Sequence, residues 1–521
     1  MTKVVAHFSG TLPMVVADII EKNANPRNRI EIALSWLYAE YDKYLDVRES
    51  PSDMQALENY NLCITILLTL LKEKNADVMF DQLLFQAPLL TEDTFGLLIQ
   101  FCVDGEGESS EALVSTLGKL AIQRLVNRKK LVELLLQLST HYIRQIRIRA
   151  LDQIVTIYEQ FQSDENIVDH ILTHIVKSLE FLIFEEPPQA LSEIASDWTE
   201  DLIERCLDLS VAVLPFNADV LMNLCDIFNR TPSITVKRVI SRAIDAPVRR
   251  LSQTNPSFLT LVKNIPEGCE SLITRVLHIV TEKRVEQELI DAIKHIMSTK
   301  RRDIRFMIPI LGVLPKDEVI QALPELIQLH KKVVKEVFFR LLGVQSGSQI
   351  SEGDQHVAPL KATELLVELH LMEGASVKPA IEAIALCLAE KTVFTLEVFA
   401  SAISRMLKFE NLPALFMRTV LQALITHPRI TSEIILTLKT LITRQIWHTQ
   451  KLWDGFVMCC QKLKARSVSV LLKLPKEPLD KILITAPDLK AYLVTYLESI
   501  EPAERSMMGE QFQNISMITA S

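Results

Sequence analysis

The 521 residues carry 56 Lys and Arg against 65 Asp and Glu, a formal charge of -9, with 48% hydrophobic residues, 6% aromatics and 13 glycines. This acidic balance opposes broad contact with nucleic acid, which needs a net basic face. Scarce glycine and a dominance of Leu, Ile, Val, Ala, Glu and Lys argue against strands, tight turns and dinucleotide loops, and for an all-α chain.

A chain this long divides into several domains or extends as an array of repeats, and the array is the simpler reading. The amino terminus has no basic region followed by an apolar run and a small-residue cleavage site, so secretion is not expected and the chain is placed inside the cell. Turn-like clusters punctuate the helical pattern at Arg48 to Asp53, Asp104 to Ser110, Glu185 to Pro188, Asn229 to Pro232 and Thr254 to Pro256. Ser52 with Gln55 has capping-box spacing behind Pro51, and Asn255 before Pro256 fits an N-cap followed by proline at the first helical position. The longest apolar run, Leu62 to Leu71, stops at Lys72 and Glu73, well short of the roughly 20 residues a bilayer span requires. Short apolar segments of this kind suit helices covered on two or more sides by their neighbours, as in a solenoid. No membrane insertion is expected.

The apolar helix Leu131 to Leu138 precedes Ile146-Arg147-Ile148-Arg149-Ala150-Leu151-Asp152-Gln153-Ile154, the best local match to a HEAT unit. Such units place arginine and aspartate to bond between successive repeats, while Ala150 allows close helix approach. Asp303-Ile304-Arg305 echoes the pattern. Gly343 to Pro359, with Gly343, Gly347 and Gly353, reads as an exposed, mobile insertion between helices. Beyond it, Phe416, Val420, Leu421 and Leu424, then Ile434, Leu438, Leu441 and Ile442, each fill one helical face. The fold class these signals predict is a HEAT-like helical-hairpin repeat solenoid, an α-superhelix.

Motifs for chemistry are sparse. Gly118-Lys119 lacks the upstream glycine of a phosphate loop and runs into Leu120, and Gly343 to Gly347 misses the spacing of a nucleophile elbow. His170 and His174 have the spacing of two metal ligands on one helical face, yet no third ligand and no protease glutamate accompany them, so they read as solvated or capping residues. The eight cysteines form no C-x-x-C pair and read as buried thiols of a reducing compartment. Three basic groups, Arg144, Arg147 and Arg149, then Lys300, Arg301, Arg302 and Arg305, then Lys331, Lys332 and Lys335, have few interleaved aromatics. They suit a solvated or inter-repeat face better than an RNA-facing patch. Trp447 and Trp453 bracket Lys451 and are equally suited to core anchors and interface hot spots. No cofactor, no metal and no catalytic residue is assigned.

In the carboxy-terminal half, DIRFMIPIL (Asp303 to Leu311), EVIQALP (Glu318 to Pro324), VVKEVFFRLLG (Val333 to Gly343), MRTVLQAL (Met417 to Leu424), RQIW (Arg444 to Trp447) and KLWDGF (Lys451 to Phe456) follow one another in order. These blocks resemble the carboxy-terminal domain of the symplekin family, and Thr274 to His278 also looks like it. The resemblance implies a nuclear scaffold, found also in the cytoplasm, of the machinery that cleaves and polyadenylates pre-mRNA 3′ ends and processes histone pre-mRNA. It implies binding to the metallo-β-lactamase endonuclease subunit of the cleavage and polyadenylation specificity factor and to its inactive paralogue, with the catalytic zinc in that partner. RNA contact would be indirect or weak.

The family's amino-terminal phosphatase-docking domain has no counterpart here. The chain therefore reads as a fragment or truncated form that also lacks the segment meeting the cleavage stimulation factor. The expected organisation is divergent HEAT-like repeats over 1–300, a symplekin-type carboxy-terminal domain over 301–485, and a terminal helix with a disordered tail over 486–521. Lys335, Arg340, Arg418, Trp447, Lys451 and Trp453 are the residues assigned to a protein interface. The alternative is a general HEAT adaptor in transport or signalling. Gly455 and Arg418 speak against it, on the expectation that packing alone does not fix them.

Overall fold

Several helix starts follow short polar side chains that accept an otherwise unpaired backbone N–H. Thr199 accepts from the Leu202 amide at 3.3 Å, Ser233 from Val236 at 3.4 Å, and Asn255 from Phe258 at 3.2 Å with Pro256 in the first turn. The Asn255 cap expected from sequence is thus formed. A computed structural model of the chain describes Lys22 and residues 26–499, apart from 48–52, 74–76, 105–107, 190, 192–196, 283, 300–302 and 344–357. Among the described residues every regular element is a helix. The Ser52 cap, Lys300 to Arg302, most of the Gly343 to Pro359 loop and the tail beyond Ser499 lie outside them.

The chain forms two compact units, Met1–Ile296 and Met297–Ser521. In the first, helices pack on the next helix of their own layer, and the two layers pack on each other. Glu108–Gln123, Arg144–Gln160, Glu200–Val213 and Ile234–Ala243 follow one another in one layer, while Arg128–Leu138, Glu165–Glu180, Asp219–Arg230 and Pro256–Lys263 form the other. That alternation defines stacked helical hairpins, the HEAT-like arrangement anticipated. Burial follows it: in Arg144–Gln160 the inward residues are Ile146, Ala150, Leu151, Ile154 and Ile157, at helical spacing.

One inward residue is charged. Arg147 is 1% exposed, and its guanidinium donates to Asp208 Oδ2 at 2.9 Å, Asp201 Oδ1 at 3.2 Å and the His141 carbonyl at 2.9 Å. Both carboxylates sit on Glu200–Val213, the next helix of the same layer, so Arg147 performs the inter-repeat bonding read from the pattern. Asp152, its expected companion, is exposed instead. Burial works to raise Asp201, but Arg205 and Arg147 hold it below the ordinary carboxylate value. Deeper burial leaves Asp208 above that value despite the pull of Arg147.

The second unit repeats the layering. Lys331–Leu341, Val377–Ala389, Phe416–Thr426 and Gln450–Leu463 succeed one another in one layer, and Ala362–His370, Leu396–Met406, Thr431–Thr443 and Val468–Leu471 in the other. The Asp303-Ile304-Arg305 echo behaves differently from its model. Asp303 caps the 3-10 helix Ile304–Val313, accepting from the Arg305 amide at 2.9 Å and pairing with the Arg305 side chain at 2.6 Å. The tighter helix follows from Pro309, which has no N–H to donate within it.

Gly455 corrects a second expectation. It lies inside Gln450–Leu463, and a Cβ there would stand 2.5 Å from Met417 Cβ on Phe416–Thr426. Packing does fix this glycine, because the helices touch backbone to side chain at that point. Gly455→Ala should therefore destabilise the unit by about 1–3 kcal/mol through overpacking, outweighing the roughly 1 kcal/mol gained in helix propensity. Chemical denaturation of wild type and variant side by side checks the sign.

Candidate functional site

The layer Lys331–Leu341, Val377–Ala389, Phe416–Thr426 and Gln450–Leu463 carries the assigned residues that lie on helices, Lys335, Arg340, Arg418, Lys451 and Trp453. At its first two helices the assigned charges are paired internally. Lys331 pairs with Glu382 at 3.4 Å, Lys335 bonds to Glu390 and stands 5.4 Å from the Phe339 ring centre, and Arg340 pairs with Glu336 at 3.1 Å. Arg340 also reaches the Pro309 carbonyl at 3.4 Å. Pairs this exposed contribute little, up to about 1 kcal/mol each.

The last two helices differ. Arg418 and Lys451 are exposed and, among the described residues, have no ion-pair partner. Beside them in helical phase stand two apolar side chains in water: Ile425, 52% exposed, and Met458, 53% exposed. The spacings Arg418, Gln422, Ile425 and Lys451, Asp454, Met458 set each group along the outer face of its own helix. Neighbouring helices thus offer free cations interleaved with apolar anchors, one of them a flexible thioether, which is chemistry for an acidic, partly apolar protein surface. Sequence reading missed Ile425 and Met458, whose only signal is an apolar residue at the polar phase of its helix.

The tryptophans part company. Trp453 is 5% exposed and stacked on Phe456 at 5.2 Å between ring centres, so its ring belongs to the core of the unit. Trp447, in the 3-10 turn Ile446–His448, is half-buried beside His448.

Other titratable groups are structural. His370 is 2% exposed; its Nδ1–H donates to the Leu366 carbonyl at 2.6 Å and its Nε2 accepts from the Thr419 hydroxyl at 2.7 Å, so the neutral ring ties the layers together. Burial pushes its pKa below the ordinary 6.5, against the pull of the Leu366 carbonyl. The folded state then binds the proton less readily than the unfolded chain. Stability from this residue is complete above about pH 6.5 and falls, by up to about 1.4 kcal/mol per pH unit, as pH drops below it. Denaturant midpoints between pH 7.5 and 5.5 should fall more steeply for wild type than for His370→Leu.

His170 and His174 are neither solvated nor capping at Nε2. Both atoms are shielded from water without a hydrogen-bond partner, because Glu165–Glu180 turns them toward its neighbours. Burial lowers the His174 pKa, aided by His170 and Lys177. Among the described residues no three His, Cys, Asp or Glu side chains converge as metal ligands. All eight cysteines are free and buried, as expected. A cavity of about 140 Å³ in the first unit is lined by Lys72, Asp81, Ser109, Thr116 and Lys119. It is smaller than the roughly 300 Å³ at which ligand pockets begin, and Lys72 bonds to Ser109 at 2.6 Å and Thr116 to Asp81 at 2.7 Å.

Residues 303–485 match the family model described as symplekin tight junction protein C terminal. The resemblance read from Asp303 to Phe456 is therefore borne out over a longer stretch, while Thr274 to His278 lies outside it. Among solved structures, a Kap121p mutant is similar at 12% identity and a TM-score of 0.31, over 97% of this chain and 53% of that one. The Pds5-Scc1 complex is similar at 12% identity and a TM-score of 0.28, over 94% and 93%. This chain spans about half the length of the Kap121p chain. Likenesses so slight carry no weight for function, and the fold rests on the helix packing itself.

Proposed function

We propose that this chain is a noncatalytic scaffold in the cleavage and polyadenylation of pre-mRNA 3′ ends and in histone pre-mRNA processing, working in the nucleus and also present in the cytoplasm. The family match over residues 303–485 is the observation that carries this reading. Its carboxy-terminal unit holds the metallo-β-lactamase endonuclease subunit and its inactive paralogue, which supply the chemistry. Stacked hairpins suit such a task, because each repeat is stabilised by its neighbours and leaves a continuous outer surface free.

Arg418 and Lys451 are the strongest candidates for the contact, flanked by Ile425 and Met458. Lys335, Arg340 and Trp447 extend it. Tagged chain mixed with both nuclease-family subunits should recover the pair. Arg418→Glu combined with Lys451→Glu should weaken recovery at least tenfold, about 1.4 kcal/mol, with an unchanged melting midpoint. A folded chain that captures neither subunit ends the proposal. Residues before 303 lie outside the family match; capture of a transport cargo or a kinase through them would favour the general-adaptor reading.

A further inference from the structure

Among the described residues, the Cys269 thiol reaches the backbone of a second cysteine on another helix. Cys225 lies inside Asp219–Arg230, and Cys269 is the N-cap of Glu270–Val280. The Cys269 Sγ–H donates to the Cys225 carbonyl at 3.0 Å, which brings the two thiols within interaction reach of each other. The approach is set by the backbone on both sides. Gly268, at φ +84°, brings the turn against Asn229, where a Cβ would stand 2.2 Å from Oδ1. Asn229 is one helical turn beyond Cys225, so Gly268 on Asn229 and Cys269 on Cys225 are successive contacts of one docked turn. The Cys269 amide donates to the Pro266 carbonyl at 3.2 Å, and its carbonyl accepts from Ile273 at 2.9 Å, holding the thiol in place.

The two sulfurs are chemically unequal. The interaction with Cys225 lowers the Cys269 pKa, working against burial, whereas the same interaction and burial raise Cys225. The amides opening Glu270–Val280 also favour a thiolate at its N-cap. By contrast, Cys459 and Cys460 are neighbours on one helix and point in different directions around it.

We propose that Cys225 and Cys269 are an oxidative modification site that closes into a reversible disulfide when the chain meets hydrogen peroxide. The Cys269 thiolate attacks one peroxide oxygen; an S–O bond forms, the O–O bond breaks, and the departing hydroxide leaves as water with the Cys269 proton. The Cys225 sulfur then attacks the sulfenic sulfur of Cys269. The S–S bond forms, the S–O bond breaks, and a second water carries away the Cys225 proton. Both sulfurs are oxidised and the peroxide is reduced. Both thiols are shielded in the folded state, so the oxidant enters when the Asn264 to Cys269 turn opens locally, an event that frays one helix start without unfolding the unit. In a reducing compartment such a bond is transient, appearing under oxidant load and reversed by cellular thiols.

The test uses the full chain, reduced, exposed to hydrogen peroxide, quenched with an alkylating agent in denaturant, digested and mapped by mass spectrometry. The expected result is a Cys225–Cys269 cross-linked peptide as the first oxidation product. A thiol reductant should remove it, the circular dichroism of the helices should persist, and the other six cysteines should be recovered alkylated. Cys269→Ser should abolish the cross-link and return Cys225 alkylated. If that variant does not fold, the wild-type map decides alone. Recovery of both thiols alkylated after oxidation, or their appearance as sulfinic acid or in other pairings, overturns the assignment.

Discussion

Replacing Arg147 with alanine is expected to cost about 3–5 kcal/mol in the amino-terminal unit, the range for removing one partner of a buried ion pair. The side chain is 1% exposed and is held by two carboxylates and a carbonyl. Truncation leaves Asp208 without its ion-pair partner and opens a cavity where a large, fully buried side chain stood. Water reaches part of the carboxylates, since Asp208 is 30% and Asp201 48% exposed, which argues for the lower half of that range. Arg147→Lys should recover only part of the loss, because an ammonium cannot spread its donors over both carboxylates and the His141 carbonyl as a guanidinium does. Arg147→Met with Asp208→Leu should recover most of it, since neither partner is then left buried and unpaired. Urea unfolding of the three variants, read at the first transition, orders them; an Arg147→Ala midpoint equal to wild type would remove the staple from this account.

Trp453→Ala is the corresponding expectation for the carboxy-terminal unit, about 3–5 kcal/mol for loss of a buried ring. The indole is stacked on Phe456, itself fully buried on the same helix as Gly455, where the approach to Met417 is closest. Its removal should loosen that helix pair, so melting falls before partner binding does. Trp453→Phe should keep part of the stack and lose less. Near-normal melting of Trp453→Ala with lost partner capture would return the ring to the interface.

Most of the architecture is legible in the chain because hairpin repeats are built from local signals. Asn255 before Pro256 announces a helix start, and the alternation of apolar residues from Ile146 to Ile154 announces the buried face together with Arg147. What stays hidden depends on distance across the fold. Nothing near Gly455 in sequence names Met417 as its neighbour, so a packing glycine looks like a family mark. Trp447 and Trp453 are equal in sequence and separate only when one ring turns inward. Ile425 and Met458 are easily passed over, since a single apolar residue at the polar phase of a helix is common in a chain this rich in Leu, Ile and Met. His370 needs Thr419, 49 residues away, before its neutral tautomer makes sense. The residues proposed for the interface were the least legible for the same reason: a cation without an ion pair such as Arg418 and a paired one such as Lys335 differ only through helices elsewhere in the chain.

The two-layer packing, in which a helix meets the next helix of its own layer, also bears on how the protein is made. Arg147 and Asp208 are 61 residues apart, so even this staple can close soon after the following hairpin leaves the ribosome. At about 5–20 residues per second, each hairpin waits only seconds for the neighbour that covers it. Synthesis can therefore proceed by adding finished hairpins to a folded base, with a short apolar edge exposed at the growing end rather than an unfolded chain behind it.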